Sequence, residues 1–434
     1  MTSPQSNLLL IKSAKIGNHR QVATALERGA DINITDAQGT TALMFAAQKG
    51  LTQTVDLLIA AGADLNLHRR QFGTTALMFA AAANRIDVVS QLLAQGVNVN
   101  ATNEDGSTAL MGATLAGAKE IVALLLIAGA NVLKIDADGD NALSIAISGN
   151  YPSIVQQLLA AGADPNVVDP DGDSLLTIAA EQGYVSLIQP LIQAGASIDL
   201  QNLDGWTALI AATSARQTEI VQMLLAAGAD SHLSSVDGET ALHLAAIEGD
   251  TEIIQVLISA GAKTDIITTI DDTPLVLATL HGHTAAVAEI LKSPPDLTAH
   301  QQGQTAFGLA IVNQSTEIAQ LLITAGVSPI QTFKDGQTPL IIAAIAGNLE
   351  LVRSLIEAQV DLNLRDRTGA TALMWATHRQ HDRIVKLLLT AGACLSAKNQ
   401  GGLTALNLAE INGDRSTVDL LKSVNIDTDR GIKM

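Results

Sequence analysis

The stretch GETALHLAAIEGDTEIIQVLISAGAKTD, residues 238–265, decides the fold of this chain. Thr240 precedes a short apolar helical pattern, at a place where a side-chain hydroxyl can cap a helix. Gly249 then suits a left-handed turn, which would strain a residue that has a Cβ atom. A second apolar pattern ends at Gly261, so the stretch predicts two short helices joined by a turn. The apolar faces of the two predicted helices consist of Leu242, Ala245 and Ala246, then Ile253, Ile254, Leu257 and Ile258.

The turn that opens this stretch, G-x-T-A-L, recurs along nearly the whole sequence. Successive copies are 33 residues apart, except for one interval of 34 residues and one of 32 residues. One helix pair cannot bury its own apolar face, whereas a stack of such pairs can. The spacing therefore predicts a solenoid of stacked helix pairs. The copies begin at Gly39, Gly73, Gly106, Gly139, Gly172, Gly205, Gly238, Gly303, Gly336, Gly369 and Gly402, with a degenerate copy, DDTPL, at Asp271.

This repeating unit resembles the ankyrin pattern G-x-T-P-L-H-x-A-A, and the resemblance covers roughly Leu8 to Val424. It implies an all-α repeat solenoid of the ankyrin-repeat family. Each repeat would consist of a β-turn finger followed by an antiparallel helix pair, and the repeats would form a curved superhelical stack. The resemblance also implies that the finger tips and the exposed ends of the inner helices are the surfaces that bind other proteins.

The register of the repeats predicts three segments. Residues 1–35 form a capping helix pair, residues 36–425 form twelve ankyrin repeats, and residues 426–434 form a tail. The segment KSPPDLTAHQQG, residues 292–303, is one residue short and has two prolines where other repeats have Gly-Ala. We expect a kink of the stack there, with a reshaped loop that does not bend the stack as the alternative.

Three repeats depart from the pattern at the turn between their helices. Most repeats carry Gly or Asn at the position of Gly249, but repeats six, nine and eleven carry Arg216, Gln314 and Gln380. A left-handed conformation is costly for these residues. These three repeats are therefore expected to be less stable than the others.

Composition limits the class of partner. The formal net charge of the 434 residues is −18, and aromatic residues make up only 2%. A strongly acidic chain repels nucleic-acid phosphates, so DNA and RNA are excluded as partners and a cationic partner is favoured.

The single cysteine, Cys394, cannot form an intrachain disulfide and is expected to be a buried, small hydrophobic residue. It favours a reducing compartment, and the absence of a signal sequence at the start favours the cytoplasm. The longest apolar stretch, IVALLLIAGA from Ile121 to Ala130, is about half the ~20 residues that a membrane-spanning helix needs, so membrane insertion is not expected.

Acidic residues at the predicted finger tips form the first candidate partner-binding surface, here called the acidic strip. The alternative is an ordinary solvated surface. Basic residues lie at the fingers towards both ends of the chain: Arg69, Arg70, Lys334, Arg365, Arg367 and Lys398. The acidic strip consists of Glu104, Asp105, Asp138, Asp140, Asp171, Asp173, Asp204, Asp237, Glu239 and Asp272.

A second candidate surface is an apolar stripe at the exposed ends of the inner helices of repeats seven to ten. Packing against the next repeat is the alternative. Most aromatic residues are expected in the core, at Phe45, Phe79, Phe307 and Trp375. Trp206 and Phe72 fall at finger tips, and Trp206 is either an exposed binding residue or is folded over its own turn. The apolar stripe consists of Ile247, Leu280, Val312 and Ile345.

Neither a metal site nor a catalytic site is expected. The turns DADGDN at Asp136 and DPDGDS at Asp169 lack the glycine and carboxylate spacing of a calcium-binding EF-hand. The pairs His281 with His283 and His378 with His381 have no cysteine or carboxylate nearby to complete a zinc site. No phosphate-binding loop, nucleophile elbow or H-E-x-x-H helix is present.

These features favour a monomeric protein without catalytic activity or cofactor. It is expected to act as a scaffold or regulator that holds a basic or amphipathic segment of another protein against its concave face and turn tips. The alternative is a structural rod that assembles with copies of itself, without a specific peptide groove.

Overall fold

The computed structural model describes residues 4–293 and 306–430, with the side chains of 424–430 left out of the description. Two compact units make up the chain, Met1–Asp230 and Ser231–Met434. Both consist of antiparallel helix pairs, and in the described residues the only β-structure is a set of isolated bridges at the base of three fingers. The expected all-α ankyrin-repeat solenoid is confirmed. The predicted kink at 292–303 lies almost wholly outside the described residues.

The first unit contains the capping pair and repeats one to six. The first helices of its pairs are α1 (Pro4–Ile16), α3 (Ala42–Lys49), α5 (Ala76–Ala82), α7 (Ala109–Leu115), α9 (Ala142–Ser148), α11 (Leu175–Glu181) and α13 (Ala208–Ser214). The second helices are α2 (His19–Glu27), α4 (Thr52–Ala60), α6 (Ile86–Ala94), α8 (Lys119–Ile127), α10 (Pro152–Ala160), α12 (Val185–Gln193) and α14 (Thr218–Ala226).

The second unit contains repeats seven to twelve. The first helices of its pairs are α15 (Ala241–Glu248), α17 (Pro274–Leu280), α19 (Ala306–Val312), α21 (Pro339–Ala346), α23 (Ala372–His378) and α25 (Ala405–Asn412). The second helices are α16 (Thr251–Ser259), α18 (Thr284–Ile290), α20 (Thr316–Thr324), α22 (Leu349–Glu357), α24 (Asp382–Thr390) and α26 (Arg415–Arg430), and a short 3₁₀ helix spans Lys334–Gly336.

Each helix pair begins and turns as its sequence predicts. In repeat one, the Thr41 hydroxyl accepts a hydrogen bond from the Met44 N–H at 3.2 Å and so caps α3. Gly50, which ends that helix, has a φ angle of 75°. Arg216, Gln314 and Gln380 also adopt the left-handed conformation predicted for this turn. Their φ angles are 58°, 58° and 60°.

Small side chains allow neighbouring first helices to pack closely. Ala46 and Ala47 in repeat one, and Ala245 and Ala246 in repeat seven, are each at most 1% exposed. The position of Ala46 holds alanine in all twelve repeats, as expected where close packing leaves no space for a larger residue. The position of Ala47 also accepts isoleucine, since Ile147 and Ile311 are fully buried there. Second helices contribute Leu, Ile and Val instead, for example Leu257, which is fully buried.

Hydrogen bonds that join one repeat to the next were not predicted from the sequence. The Asn66 Oδ1 atom accepts from the Asn98 N–H at 2.9 Å, Asn100 Oδ1 accepts from the Asn131 N–H at 2.7 Å, and Asn166 Oδ1 accepts from the Ser197 N–H at 2.8 Å. Fingers are joined by backbone bonds, such as the Ala137 N–H to the Asp105 carbonyl at 2.7 Å. This asparagine ladder and the finger bonds fix the register of successive repeats.

Repeat four lacks one bond of each kind, the ladder bond to repeat three and the finger bond to repeat five. Leu133, at the end of repeat three, stands where the ladder has an asparagine, so it offers no acceptor to repeat four. Pro170 stands where the finger of repeat four has Ala137, and proline has no N–H to donate. The junction of repeats three and four therefore keeps its finger bond without the ladder bond, and the junction of repeats four and five keeps its ladder bond without the finger bond.

The substitution Leu133→Asn is expected to complete the ladder and raise the free energy of unfolding by about 0.5–1.5 kcal/mol, the net worth of one hydrogen bond. The substitution removes little buried apolar surface, because Leu133 is 59% exposed. Asn100→Leu is the matched control; it removes the equivalent bond one repeat earlier and should lower stability by a similar amount. Urea unfolding measures both, and no difference between the two variants would contradict the role of the ladder.

His243 joins repeats seven and eight inside the second unit. It is fully buried; its Nδ1 atom accepts from the Thr240 N–H at 3.1 Å, and its Nε2 atom donates to the carbonyl of Ile266 at 3.0 Å. The Thr240 hydroxyl pairs with the same Nδ1 atom at 2.9 Å. Burial lowers the pKa of His243 to about 4, so the ring is neutral in the folded protein.

Because the pKa of His243 is lower in the folded than in the unfolded chain, its contribution to stability is present above pH 6.5 and is lost as the pH falls towards 4. The loss amounts to about 3 kcal/mol. His243→Met, the residue of repeats one to three, is expected to flatten the decline of melting temperature between pH 6.5 and 4. His281→Gln, a substitution at an exposed histidine, is the control, and its melting temperature should decline with pH as that of the parent protein does.

Two expectations about burial were wrong, and so was one about the end of the chain. Cys394 is exposed, because it stands just after the A-G-A turn where other repeats have solvent-facing Asp or Asn. Phe45, Phe79 and Trp375 are only half-buried, whereas Phe307 is buried as expected because it is the second residue of its helix and the other three are the fourth residue of theirs.

The end of the chain also differs from the prediction. The last helix, α26, extends to Arg430, into the predicted tail of residues 426–434, because no glycine or proline interrupts it before that point. The apolar stretch at Ile121 forms the ordinary second helix α8. In residues 4–293 and 306–430, no helix combines the length and the apolar character that crossing a membrane requires.

Candidate functional site

One face of each first helix is not covered by the neighbouring repeats. It lies beside the fingers, and we call it the groove face. The fourth residue of each first helix points to this face and is half-buried in most repeats. The half-buried residues of the groove face are Phe45, Phe79, Gly112, Ile145 and Ile178 in the first unit and Leu244, Leu309, Ile342, Trp375 and Leu408 in the second.

A cleft of about 540 Å³ opens on the groove face of the first unit, where Gly112 interrupts this row of large side chains. We call it the Gly112 cleft. Phe79 on α5 and Ile145 on α9 stand on either side, and Leu115, at the end of α7, borders it with 72% exposure. Gly112 was not among the residues predicted from the sequence to bind a partner. The remaining lining residues are Gln48, Thr74, Met78, Ala82, Ala83, Asn103, Ser107, Thr108, Met111, Asp136 and Asp140.

The cleft has acidic residues on its finger side. Asp136 and Asp140 belong to the finger of repeat four and line the cleft directly. The Asp140 carboxylate is exposed and accepts from the Ser144 hydroxyl at 2.8 Å. Asp140 is a residue predicted to bind a partner, and the structure places it in this cleft.

A cation borders the opposite wall. The Arg69 guanidinium lies 5.9 Å from the ring centres of both Phe72 and Phe79. This geometry allows a cation–π interaction with each ring. Among the described residues, the Arg69 Nε atom is enclosed without a hydrogen-bond partner. Charge therefore changes sign across the Gly112 cleft, from Arg69 beside repeat two to Asp136 and Asp140 on repeat four.

The remaining acidic strip is divided between the two units. In the first unit, Asp105 is exposed on finger three and Asp138 on finger four. The hydrogen bond from the Ala137 N–H to the Asp105 carbonyl joins these two fingers. Asp171 is exposed and Asp173 half-buried on finger five. The second unit carries the exposed Asp237 and the half-buried Glu239 and Asp272. Backbone hydrogen bonds join fingers three and four and fingers five and six within the first unit, and fingers seven and eight within the second.

Burial and, after it, crowding of like charges raise the pKa of two of these carboxyls. Burial raises the pKa of Asp173, and the nearby Asp169, Asp171 and Asp204 raise it further, although a hydrogen bond from Asn202 at 2.8 Å opposes the rise. Burial and then Asp237 raise the pKa of Glu239. A cation at either position would relieve this repulsion.

The apolar stripe lies on four first helices of the second unit. Leu280 and Val312 are 47% and 57% exposed, whereas Ile247 and Ile345 are half-buried. The carbonyls of the latter two accept hydrogen bonds from His283 and His381 of the following repeats, at 2.8 and 3.3 Å. The structure thus supports exposure for two members and contact with the next repeat for the other two.

The finger-tip aromatics differ in exposure. Phe72 is 55% exposed and has a φ angle of 67°. Trp206 is half-buried, and its backbone N–H donates to Asn202 Oδ1 at 2.7 Å in its own turn.

A second, smaller cleft of about 180 Å³ lies on the groove face of the second unit, beside Trp375 and His378. The indole Nε1–H donates to Asp366 Oδ2 at 2.7 Å. Burial alone would raise the pKa of Asp366, but hydrogen bonds, the first from Thr368 and the next from Trp375, lower it overall. The indole is therefore held in one orientation by a charged acceptor.

Residues that suggested metal binding have structural roles. Asp136 Oδ1 accepts from the backbone N–H groups of Asp138 at 3.1 Å and Asp140 at 2.9 Å, so it shapes its own turn. His283 and His381 hold the end of the preceding first helix, as described above. Within residues 4–293 and 306–430, no three His, Cys, Asp or Glu side chains form a potential metal-binding group.

A stacked series of two-helix repeats with β-turn fingers defines a repeat protein whose variable surfaces are its fingers and groove face. The family model described as "Ankyrin repeats (3 copies)" matches residues 9–103, 77–169, 143–235, 176–269, 227–301, 275–366 and 340–431. The chain therefore belongs to the ankyrin-repeat family. Ankyrin repeats generally mediate protein–protein interaction.

Gly112→Ala is expected to raise the free energy of unfolding by up to about 1 kcal/mol, because glycine in a helix interior costs that much relative to alanine. A Cβ atom at Gly112 would have Ala82 Cβ as its nearest neighbour at 3.5 Å, an ordinary contact. Gly117→Ala in the same repeat is the control. Its φ angle is 64° and its Cβ would lie 3.2 Å from Tyr151, so stability should fall. A fall at both positions in thermal unfolding would show that the fold itself requires Gly112.

Proposed function

We propose that this chain is a binding protein without catalytic activity, a scaffold or regulator that holds a basic or amphipathic segment of another protein. The segment would lie along the groove face of the first unit, with its cations towards the fingers. The observation that carries this proposal is the Gly112 cleft, where an apolar floor, the exposed Asp140 and the half-buried Asp136 line the same opening.

The chemistry of this surface suits such a partner. Burying apolar side chains over Phe79 and Ile145 would supply affinity, at about 25 cal/mol for each Å² removed from water. Carboxylates at the rim, including Asp138 and Asp171, would mainly accelerate association and orient the partner. The like-charge crowding around Asp173 adds to the attraction for cations, because a bound cation would offset it.

Charge reversal tests the proposal. The fourfold variant Asp138→Lys, Asp140→Lys, Asp171→Lys and Asp173→Lys is expected to lose a partner that the purified parent protein captures and that remains bound at moderate salt. A control with the same change of net charge carries Lys at Asp56, Asp87, Glu120 and Glu219, exposed residues on second helices of the same unit. Affinity-capture mass spectrometry compares the three proteins, with circular dichroism as a check of folding.

Retention of the same partners by the fourfold variant would remove the acidic strip from the binding surface. Light scattering of the parent protein across concentration separates the proposal from the self-assembling rod. A monomer at all concentrations agrees with the proposal, whereas ordered oligomers that persist in both charge variants would favour self-assembly.

A further inference from the structure

We propose that the Gly112 cleft is an anchor site for one bulky apolar side chain, phenylalanine or leucine, that is followed in the partner by lysine or arginine. This inference rests on the proposed function and deepens it, because it names the partner chemistry at a single subsite. Its basis is the coincidence of a missing side chain, an open apolar floor and a charge difference across one cleft.

The glycine is not required by the local fold. Gly112 lies inside α7 with ordinary helical backbone angles, and a Cβ atom there would meet no neighbour closer than 3.5 Å. Glycine at such a position lowers helix stability by about 1 kcal/mol relative to alanine. What glycine provides at this position is the space above it.

The size of that space follows from the other repeats. The equivalent positions in repeats two and four carry Phe79 and Ile145, which line the cleft from both sides. Removing one large side chain from such a row leaves a recess one side chain wide. At about 540 Å³, the cleft falls in the range of about 300–1,000 Å³ that is common for ligand sites. Leu115, which is 72% exposed, extends its apolar rim.

The charges on the two sides orient the occupant. Asp136 and Asp140 line the repeat-four side, and Arg69 lies 5.9 Å from the ring centre of Phe79 on the repeat-two side. A segment whose apolar residue is followed by cations can place those cations beside Asp136 and Asp140 and keep them away from Arg69. A segment with carboxylates in the same place meets Asp140 with like charge, so the site discriminates by repulsion as well as attraction.

Methionine methyl groups provide probes inside the cleft. The chain has seven methionines, of which Met78 and Met111 line the Gly112 cleft and Met374 lines the smaller cleft of the second unit. The full-length protein is labelled with ¹³C at methionine methyls and titrated with the peptide acetyl-Ala-Phe-Lys-Lys-Ala-amide. We expect saturable shifts of Met78 and Met111, with Met374 unchanged.

Two peptide analogues test each part of the anchor. Replacing Phe by Ala should weaken binding at least tenfold, because it removes the buried ring. Replacing both Lys by Glu should weaken binding several-fold, because the rim charges become repulsive. Equal binding of all three peptides, or shifts that spread over the methionines of both units, would overturn the inference.

Protein variants test the site itself. Gly112→Ile introduces the residue that stands at the equivalent position in repeats four and five, so this variant should fold normally. It should bind the Phe peptide at least tenfold more weakly than the parent protein does. Gly112→Ala, which adds one carbon, should retain binding. Asp136→Asn with Asp140→Ser introduces the residues of repeat three and should weaken binding several-fold. The matched control, Glu120→Gln with Glu219→Gln, removes two exposed carboxylates from second helices of the same unit and should leave binding unchanged.

The failure of this inference can be distinguished from failure of the proposed function. A protein partner that is lost on reversal of the acidic strip but retained by Gly112→Ile would leave the proposed function standing and overturn the anchor site. Loss of the partner in Gly112→Ile, together with unchanged melting temperature, would support both. Absence of any partner or peptide response in the parent protein would overturn both.

Discussion

A helix of seven to nine residues cannot bury an apolar face by folding on its own partner, and this constraint governs every part of the molecule. Burial comes from neighbouring repeats, which approach closely because alanine pairs such as Ala46 and Ala47 occupy the contact. The position of Ala46 is thereby fixed in size, and it is alanine in all twelve repeats. Only the groove face and the fingers are free to vary without loss of the stack, so binding specificity has to be encoded there.

The same constraint explains polar residues that resemble functional ones. Stacked repeats leave backbone amides and helix ends at each junction, and these need partners. Asn66 and Asn100 accept hydrogen bonds from backbone amides of the following repeats, and His283 donates one to the Ile247 carbonyl at the end of α15. A histidine or acidic residue in this protein therefore indicates chemistry only after its structural partner is known. Asp140 differs from Asp136 in this respect, because its carboxylate is exposed and bonds a side-chain hydroxyl, whereas Asp136 Oδ1 shapes the turn.

Much of the fold could be predicted from the sequence because the repeat spacing fixes the helices, caps and turns. Even the strained turns at Arg216, Gln314 and Gln380 followed from alignment of the repeats. The errors arose where the register was not followed to individual side chains: Cys394 stands at a solvent-facing turn position and Trp375 at a groove-face position. The asparagine ladder was missed because it depends on pairing between repeats, which the pattern of one repeat does not contain.

The candidate site shows why repeated sequences hide their functional positions. A search for unusual chemistry finds carboxylates and exposed aliphatics, whereas the Gly112 cleft results from a missing side chain in a row of large ones. Its signal is a residue that lowers helix stability and has neither a positive φ angle nor a close neighbour to justify it. Glycines such as Gly117 and Gly249 lack this signal, since their left-handed turns explain them. In a stack whose packing is otherwise uniform, a stability cost without a structural reason is the strongest pointer to a binding position.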